Sequence, residues 1–216
     1  MSIRTEENLF DRLAEDLIWR KREITILRWL MEKASPDRLG PLLRSTVALV
    51  YAHWEGFIKT AGTAYLEFVH FRRLKHSELA PNFVALAARS MLRRAGATNK
   101  VAAHLEVTKF FLSRLNEQSR LPYRDGVDRG GNLSSGLLKE IVETLGLEFT
   151  PFETKVHLID ERLLRARNTI AHGEYLVVDV AAVDELAEEV LGMLEAFRAQ
   201  IDNAAALGTY RSGNVN

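Results

Sequence analysis

Three side chains capable of acid–base and phosphate chemistry, Arg167, Asn168 and His172, lie within six residues of one another, and Gly173 follows them. An imidazole can accept or release a proton near neutral pH, and a guanidinium can hold a phosphate through two parallel hydrogen bonds. An amide can orient either group. These are the residue types from which a metal-free RNA cleavage site can be built, and none of them needs a cofactor.

The charge balance restricts how such a site could attract RNA. Lys and Arg together number 29, and Asp and Glu also number 29, so the formal charge is zero. A neutral chain has no overall positive field that would attract nucleic acid, and any RNA-binding surface must therefore be local.

The composition also excludes several kinds of site. The chain has no cysteine, which excludes a disulfide framework, a thiolate nucleophile and the cysteine-dependent zinc sites. Its N-terminus carries charges where a secretory signal would be apolar, and no apolar run is long enough to span a bilayer. We therefore expect a soluble, cytoplasmic protein with no metal and no cofactor.

Apolar residues recur at spacings of three and four along most of the chain, as they do in amphipathic helices. The pattern predicts helices at about 10–31, 42–69, 81–91, 101–115, 134–145, 156–170 and 183–201. Only 175–178 looks extended, and the charged, glycine-containing stretch 120–131 predicts a surface loop. The sequence thus predicts one all-α domain over 1–207 and a flexible polar tail over 208–216.

The position of Arg167 on the predicted helix 156–170 poses a geometric question. In an ideal helix Asn168 and His172 share a face with Arg165 and Glu161, whereas Arg167 lies about 140° from His172 and flanks the apolar stripe. A cation there needs an acidic partner or a cleft. The alternative interpretation is that these cations only complement the helix dipole and that a glycine ends the helix in the ordinary way.

Five segments carry a resemblance to a known family. They are Tyr51–Lys59, Asn132–Ser134, Leu145–Leu147, Ile159–Glu161 and Arg167–Glu174. Through them the chain, from about Leu43 to its last helix, resembles the HEPN family (higher eukaryotes and prokaryotes nucleotide-binding), specifically its prokaryotic MAE-type nuclease branch. The family signature is an arginine, a polar residue, a short spacer and a histidine, which here correspond to Arg167, Asn168 and His172.

The resemblance implies a HEPN-like antiparallel helical bundle that forms a homodimer, in which two motif copies face one composite cleft. It also implies metal-independent endoribonuclease activity within a toxin–antitoxin or phage-defence system, with an antitoxin or defence-system protein as partner. In this interpretation His172 is the general base or acid, Arg167 holds the phosphate, and Asn168 orients the imidazole or donates to the phosphate. The expected product ends in a 2′,3′-cyclic phosphate.

Other residues are candidates for supporting roles. Arg165, seven residues before His172, is a second candidate for contact with the phosphate. Tyr51 and Glu55 share a face of the second helix, where Glu55 could pair with a motif arginine or form an ordinary ion pair. Candidates for contact with RNA in the long loop are Arg120, Tyr123, Arg124 and Arg129.

Two other functions stay open at this point. One is a catalytically silent HEPN module that binds RNA or a partner protein in a larger complex, which the neutral charge favours slightly. The other is a helical interaction protein that only dimerises through its apolar second helix.

A toxin subgroup of the family carries a modifiable tyrosine two residues after the histidine. Glu174 occupies that position here and Tyr175 comes one later, so such control is not proposed.

Overall fold

The described part of the chain, residues 2–127 and 130–213, is built from helices in this computed structural model. In chain order the α-helices are α1 (Glu6–Lys33), α2 (Pro36–Phe71), α3 (Pro81–Gly96), α4 (Val101–Ser113), α5 (Ser135–Leu145), α6 (Thr150–Glu153), α7 (Ala166–Ala171) and α8 (Val180–Leu207). A 3₁₀ turn covers His76–Glu78, and a π-helical segment covers Leu158–Arg165. The prediction of an all-α helical bundle is confirmed for the described residues.

Capping residues explain where the long helices begin. The hydroxyl of Thr5 accepts a hydrogen bond from the N–H of Asn8 at the start of α1. The carboxylate of Asp179 accepts one from the N–H of Ala182 at the start of α8. Pro36 begins α2, because the first turn of a helix does not need its N–H groups for internal hydrogen bonds.

Helix α2 lies at the centre of the bundle, where α1 and α8 pack against it and against each other. Its aromatic residues Trp54, Phe57 and Tyr65 are completely buried and form the middle of the core. Even so, none of the helices in the described ranges combines the length and apolarity needed to cross a bilayer.

The helix predicted as continuous over 156–170 is interrupted. Leu158–Arg165 is π-helical, and α-helical geometry resumes at Ala166–Ala171. A π-helical turn contains more residues than an α-helical turn, so side chains before Ala166 lose the 100° spacing to those after it. The predicted alignment of Glu161 with His172 assumed regular α-helical spacing, which is interrupted over Leu158–Arg165.

The C-terminal segment also departs from the prediction of a flexible tail beginning at residue 208. The carbonyl of Tyr210 accepts a hydrogen bond from the N–H of Ala80 at 2.9 Å. The Tyr210 ring is buried edge-on against Phe68, with 5.6 Å between ring centroids. This burial holds 208–211 against the bundle, so the prediction is corrected for that part of the segment.

Candidate active site

The guanidinium of Arg167 lies over the ring of Tyr51, with 4.9 Å between the guanidinium carbon and the ring centroid. Tyr51 belongs to α2 and is 1% exposed, so its ring is a fixed platform. A cation over an aromatic face gains electrostatic stabilisation. Arg167 is half-buried, and within the described residues it forms no ion pair with a carboxylate. Its charge is therefore left available for an anionic ligand.

Asn168 connects Arg167 to the loop that precedes α5. Its Oδ1 accepts a hydrogen bond from Nη1 of Arg167 at 2.8 Å and a longer one from Nδ2 of Asn132 at 3.4 Å. Because Oδ1 has these two donors, the amide nitrogen is the group that Asn168 can offer to a ligand, and it can only donate. A guanidinium beside an amide donor suits an anion such as phosphate.

His172 lies at the end of α7, and its imidazole is exposed. The N–H of Gly173 donates to the carbonyl of Ile170 at 3.1 Å, and the N–H of Glu174 donates to that of Thr169 at 3.0 Å. These are the paired bonds of a Schellman motif, and Gly173 has the left-handed φ of +78° that this motif favours in glycine. The prediction that Gly173 ends the helix is confirmed. In the part of the chain that is described, the imidazole makes no hydrogen bond or ion pair, so it is free to exchange a proton with a ligand.

Two hydrogen-bonding groups fix the loop that carries Asn132. The hydroxyl of Tyr51 accepts a hydrogen bond from the N–H of Leu133 at 2.7 Å. The carboxylate of Asp160, in the π-helical segment, accepts hydrogen bonds from the N–H and the hydroxyl of Ser135 at 2.8 and 2.5 Å. The loop is thereby attached both to α2 and to the helix that carries the motif, which places Asn132 beside Asn168.

Glu55 and Lys59 form an ion pair on α2 next to this loop. Nζ of Lys59 lies 2.7 Å from Oε1 of Glu55 and also donates to the carbonyl of Gly131 at 2.7 Å. Glu55 therefore pairs with Lys59 and not with a motif arginine. Of the two predicted alternatives for Glu55, the structure has the ordinary ion pair.

Burial, assisted by the Glu55 carboxylate, raises the pKa of Tyr51 to about 12. The Tyr51 hydroxyl therefore stays protonated at neutral pH.

Two carboxylates of this region already have partners. Glu55 is paired with Lys59, and Asp160 accepts hydrogen bonds from Ser135. Among residues 2–127 and 130–213, no group of three or more His, Asp or Glu side chains is arranged to hold a metal ion.

Arg165, the second candidate for phosphate contact, lies in a different environment from Arg167. Its Nη1 pairs with Oε2 of Glu161 at 2.9 Å, and its side chain is 76% exposed. An ion pair this exposed to solvent contributes little to stability. Only Arg167 of these two arginines contacts Asn168 and Tyr51.

The loop residues proposed to contact RNA lie at the other end of α2. The Tyr123 ring is half-buried and its centroid lies 5.0 Å from that of His70. His70 is about 28 Å along α2 from Tyr51, at 1.5 Å per residue. The structure therefore does not bring Arg120, Tyr123 and Arg124 to the candidate site, and Arg129 lies outside the described residues.

No individual role in the site was predicted from the sequence for three residues that shape it, Asn132, Lys59 and Asp160. Two local signals were present in the sequence. Asn132 comes two residues before the helix-capping Ser134, and Lys59 follows Glu55 by four residues on one helix. No local pattern indicates that Asp160 accepts from Ser135, because that contact joins two separate helices.

Replacement of Tyr51 by phenylalanine tests how firmly the loop is held. We expect Tyr51→Phe to lower the free energy of unfolding by about 1–3 kcal/mol, because the buried N–H of Leu133 loses its acceptor. Urea denaturation measures this difference. The matched change Tyr175→Phe, at a side chain 78% exposed, should leave stability unchanged. Equal effects of the two changes would contradict the role given to the Tyr51 hydroxyl.

Comparison with known proteins identifies the family. A family model described as MAE_28990-like HEPN matches residues 9–210. No curated protein and no solved structure matches the chain. HEPN proteins are nucleotide-binding or RNase-like modules. The match includes α2, the loop before α5 and the Arg167–His172 motif, and the chain therefore belongs to the HEPN family, in its MAE-type branch.

Proposed function

We propose that this HEPN protein is a metal-independent endoribonuclease that acts as a homodimer within a toxin–antitoxin or phage-defence system. The observation that carries this proposal is that one short helix presents both a guanidinium and an imidazole without an acidic partner. Arg167 is half-buried with no carboxylate partner in the described residues, and the exposed imidazole of His172 ends the same helix. A cation that is held in place without an acid is suited to bind a phosphate whose charge grows during the reaction.

The reaction follows from the chemistry of these side chains. An imidazole of His172 removes the proton from the RNA 2′-hydroxyl, and the resulting oxygen attacks the adjacent phosphorus. The bond from phosphorus to the 5′-oxygen breaks, and the same imidazole, now protonated, returns its proton to that leaving oxygen. The products are a 2′,3′-cyclic phosphate and a free 5′-hydroxyl. Arg167 holds the non-bridging oxygens, and the amide nitrogen of Asn168 is placed to donate to them.

A symmetric dimer allows Arg167 and His172 of one site to come from different chains, and it then contains two such sites. The geometry of one chain favours this arrangement. Arg167 is directed onto Tyr51 of its own α2, whereas His172 is exposed at the end of the helix and makes no hydrogen bond to Arg167. We therefore assign the site to Arg167 of one chain and His172 of the other.

An exposed apolar surface beside the motif supports dimer formation. On α2, Ala52 and Leu49 are exposed next to Tyr51, and Trp19 of α1 is exposed beside the buried His53. The surface continues along α1 over Ile18, Ile26, Trp29 and Leu30. Contiguous apolar surface on a folded protein generally marks a site of interaction. In this proposal the second copy of the chain covers it.

The proposal predicts cleavage of RNA in the presence of a chelator. The purified protein should cut single-stranded RNA in EDTA, and mass spectrometry should find a 2′,3′-cyclic phosphate at the new end. A matched RNA with 2′-O-methyl groups at the cut positions should remain intact, because the attacking hydroxyl is blocked. Cleavage only after a divalent metal ion is added, or cutting of the methylated RNA, would show that the proposed chemistry is wrong.

A catalytically silent module that binds RNA or a partner protein is the second candidate. The observation in its favour is that no hydrogen bond joins Arg167 and His172 of one chain. It predicts a shift of labelled RNA in a gel, dependent on Arg167, with no product at any pH between 5 and 8. Product formation in EDTA excludes this candidate.

A further inference from the structure

Helix α4 carries apolar side chains on two opposite faces. Its inner face buries Phe110 against α3. Its outer face carries Val101, Leu105 and Leu112, which are 69%, 48% and 80% exposed. These three residues are spaced by four and seven positions, so they align along one side of the helix. A helix that is apolar on both sides is usually covered on both sides, whereas the outer side of α4 is exposed here.

A groove lies beside this outer face, where α4 runs along α3. It has a volume of about 520 Å³. Its apolar lining is formed by Leu79, Pro81, Val84, Leu92, Phe111 and Leu115. Phe111 precedes Leu112 in α4, so the groove and the exposed stripe adjoin each other. A convex stripe beside a concave groove is a surface onto which another helix can pack.

The segment that forms this surface is strongly basic, although the whole chain is neutral. Residues 81–115 contain one acidic residue, Glu106, and six basic ones, which are Arg89, Arg93, Arg94, Lys100, Lys109 and Arg114. Their formal charge is therefore +5, whereas that of the chain is zero. Arg94 pairs with Glu106. Arg93, Lys100 and Lys109 have no acidic partner in the described ranges, so their charges are free to attract one.

We propose that the outer face of α4 and its groove bind an amphipathic helix of a partner protein whose polar face is acidic. The exposed leucines supply apolar contact, and the unpaired basic residues select a negatively charged partner. The 13 residues of α4 span about 20 Å, which accommodates a partner helix of similar length. RNA fits this surface less well, because bases stack on aromatic rings and the exposed stripe of Val101, Leu105 and Leu112 is aliphatic. A flat lipid surface would leave the groove unfilled. This inference does not depend on the proposed nuclease activity.

The probe that tests it is a displayed library of helical peptides with leucine fixed at i, i+3, i+4 and i+7 and either Glu or Lys at every flanking position. Selection on the full-length protein should enrich Glu over Lys at the flanking positions. The best peptide is then synthesised, and its affinity is measured by fluorescence anisotropy. Enrichment of Lys, or an equal mixture of the two, would overturn the proposal.

Variants locate the binding face. Leu112→Glu should weaken binding of the selected peptide about tenfold or more, because an exposed apolar contact becomes a like charge. Lys109→Glu should also weaken binding of the peptide, and the loss of affinity should be greater at low salt than at high salt. The matched controls are Leu207→Glu, at a leucine 70% exposed on α8, and Lys139→Glu on α5; both should bind like wild type. Equal losses in variants and controls would place the peptide elsewhere.

Other occupants of the face give different results. Leu112-dependent binding to phosphatidylglycerol vesicles without selection of acidic helices would identify a lipid surface. Loss of self-association in Leu112→Glu, measured by light scattering, would identify a second copy of the chain. At least a tenfold gain in peptide affinity after removal of residues 214–216 would identify the end of the chain itself. Each of these results would overturn the proposal.

Discussion

His172→Ala is expected to lower the rate of RNA cleavage in EDTA by about 10²–10⁴-fold, because the reaction loses its general base or acid. The imidazole is exposed and makes no contact within the described residues, so its removal should not disturb the fold. Circular dichroism and thermal unfolding check that expectation. The matched control is His157→Ala, another exposed histidine, which comes just before the π-helical segment.

Arg167→Ala should cause a loss of about 10²–10³-fold, as expected for removal of a group that stabilises charge in the transition state. Arg167→Lys should recover only part of the rate, since an ammonium cannot bind two phosphate oxygens in parallel. Arg165→Ala should change the rate far less, because Arg165 is exposed and paired with Glu161. A greater loss at Arg165 than at Arg167 would reverse the assignment of the phosphate-binding arginine.

Activity that survives in folded His172→Ala and Arg167→Ala would contradict the nuclease site. Such a result would leave the HEPN fold and the family in place, since both rest on the helical architecture and on the match over residues 9–210. It would mean that other side chains carry out the cleavage, since the silent module forms no product.

The sequence predicts the long helices well because their signals are local. The apolar spacing of α1, α2 and α8 continues over many turns, and the Asp179 cap and the glycine ends are read directly from residue types. The π-helical segment is different. Its apolar positions 159 and 163 fit an α-helix, so no local pattern indicates the extra residues in its turn.

The partners of the motif could not be predicted in the same way. Tyr51 lies more than a hundred residues before Arg167 in the chain, and no local rule joins them. The sequence indicates that a cation beside an apolar stripe needs compensation. It suggests an acidic partner or a cleft, and the structure supplies an aromatic face and the amide of Asn168. The hydrogen bond from Asn132 to Asn168 could not be predicted for the same reason. The position of Asn132 depends on the contacts that Tyr51 and Asp160 make with its loop.

Mixed dimers provide the test that distinguishes a composite site from one built within a single chain. A dimer containing one His172→Ala chain and one Arg167→Ala chain can be isolated by co-expression with two different affinity tags. If each site takes Arg167 from one chain and His172 from the other, one of its two sites is intact. Its activity should then be about half that of wild type, although each parental homodimer is almost inactive.

The reciprocal dimer should behave in the opposite way. When one chain is wild type and the other carries both substitutions, every shared site lacks one of the two groups, so the dimer should be inactive. If each chain instead builds its own site, this dimer should keep about half the activity, and the first mixed dimer should have none. The two dimers contain the same four side chains and differ only in how these are distributed. Their activities therefore report whether Arg167, held on Tyr51 of its own chain, acts with the imidazole of its partner.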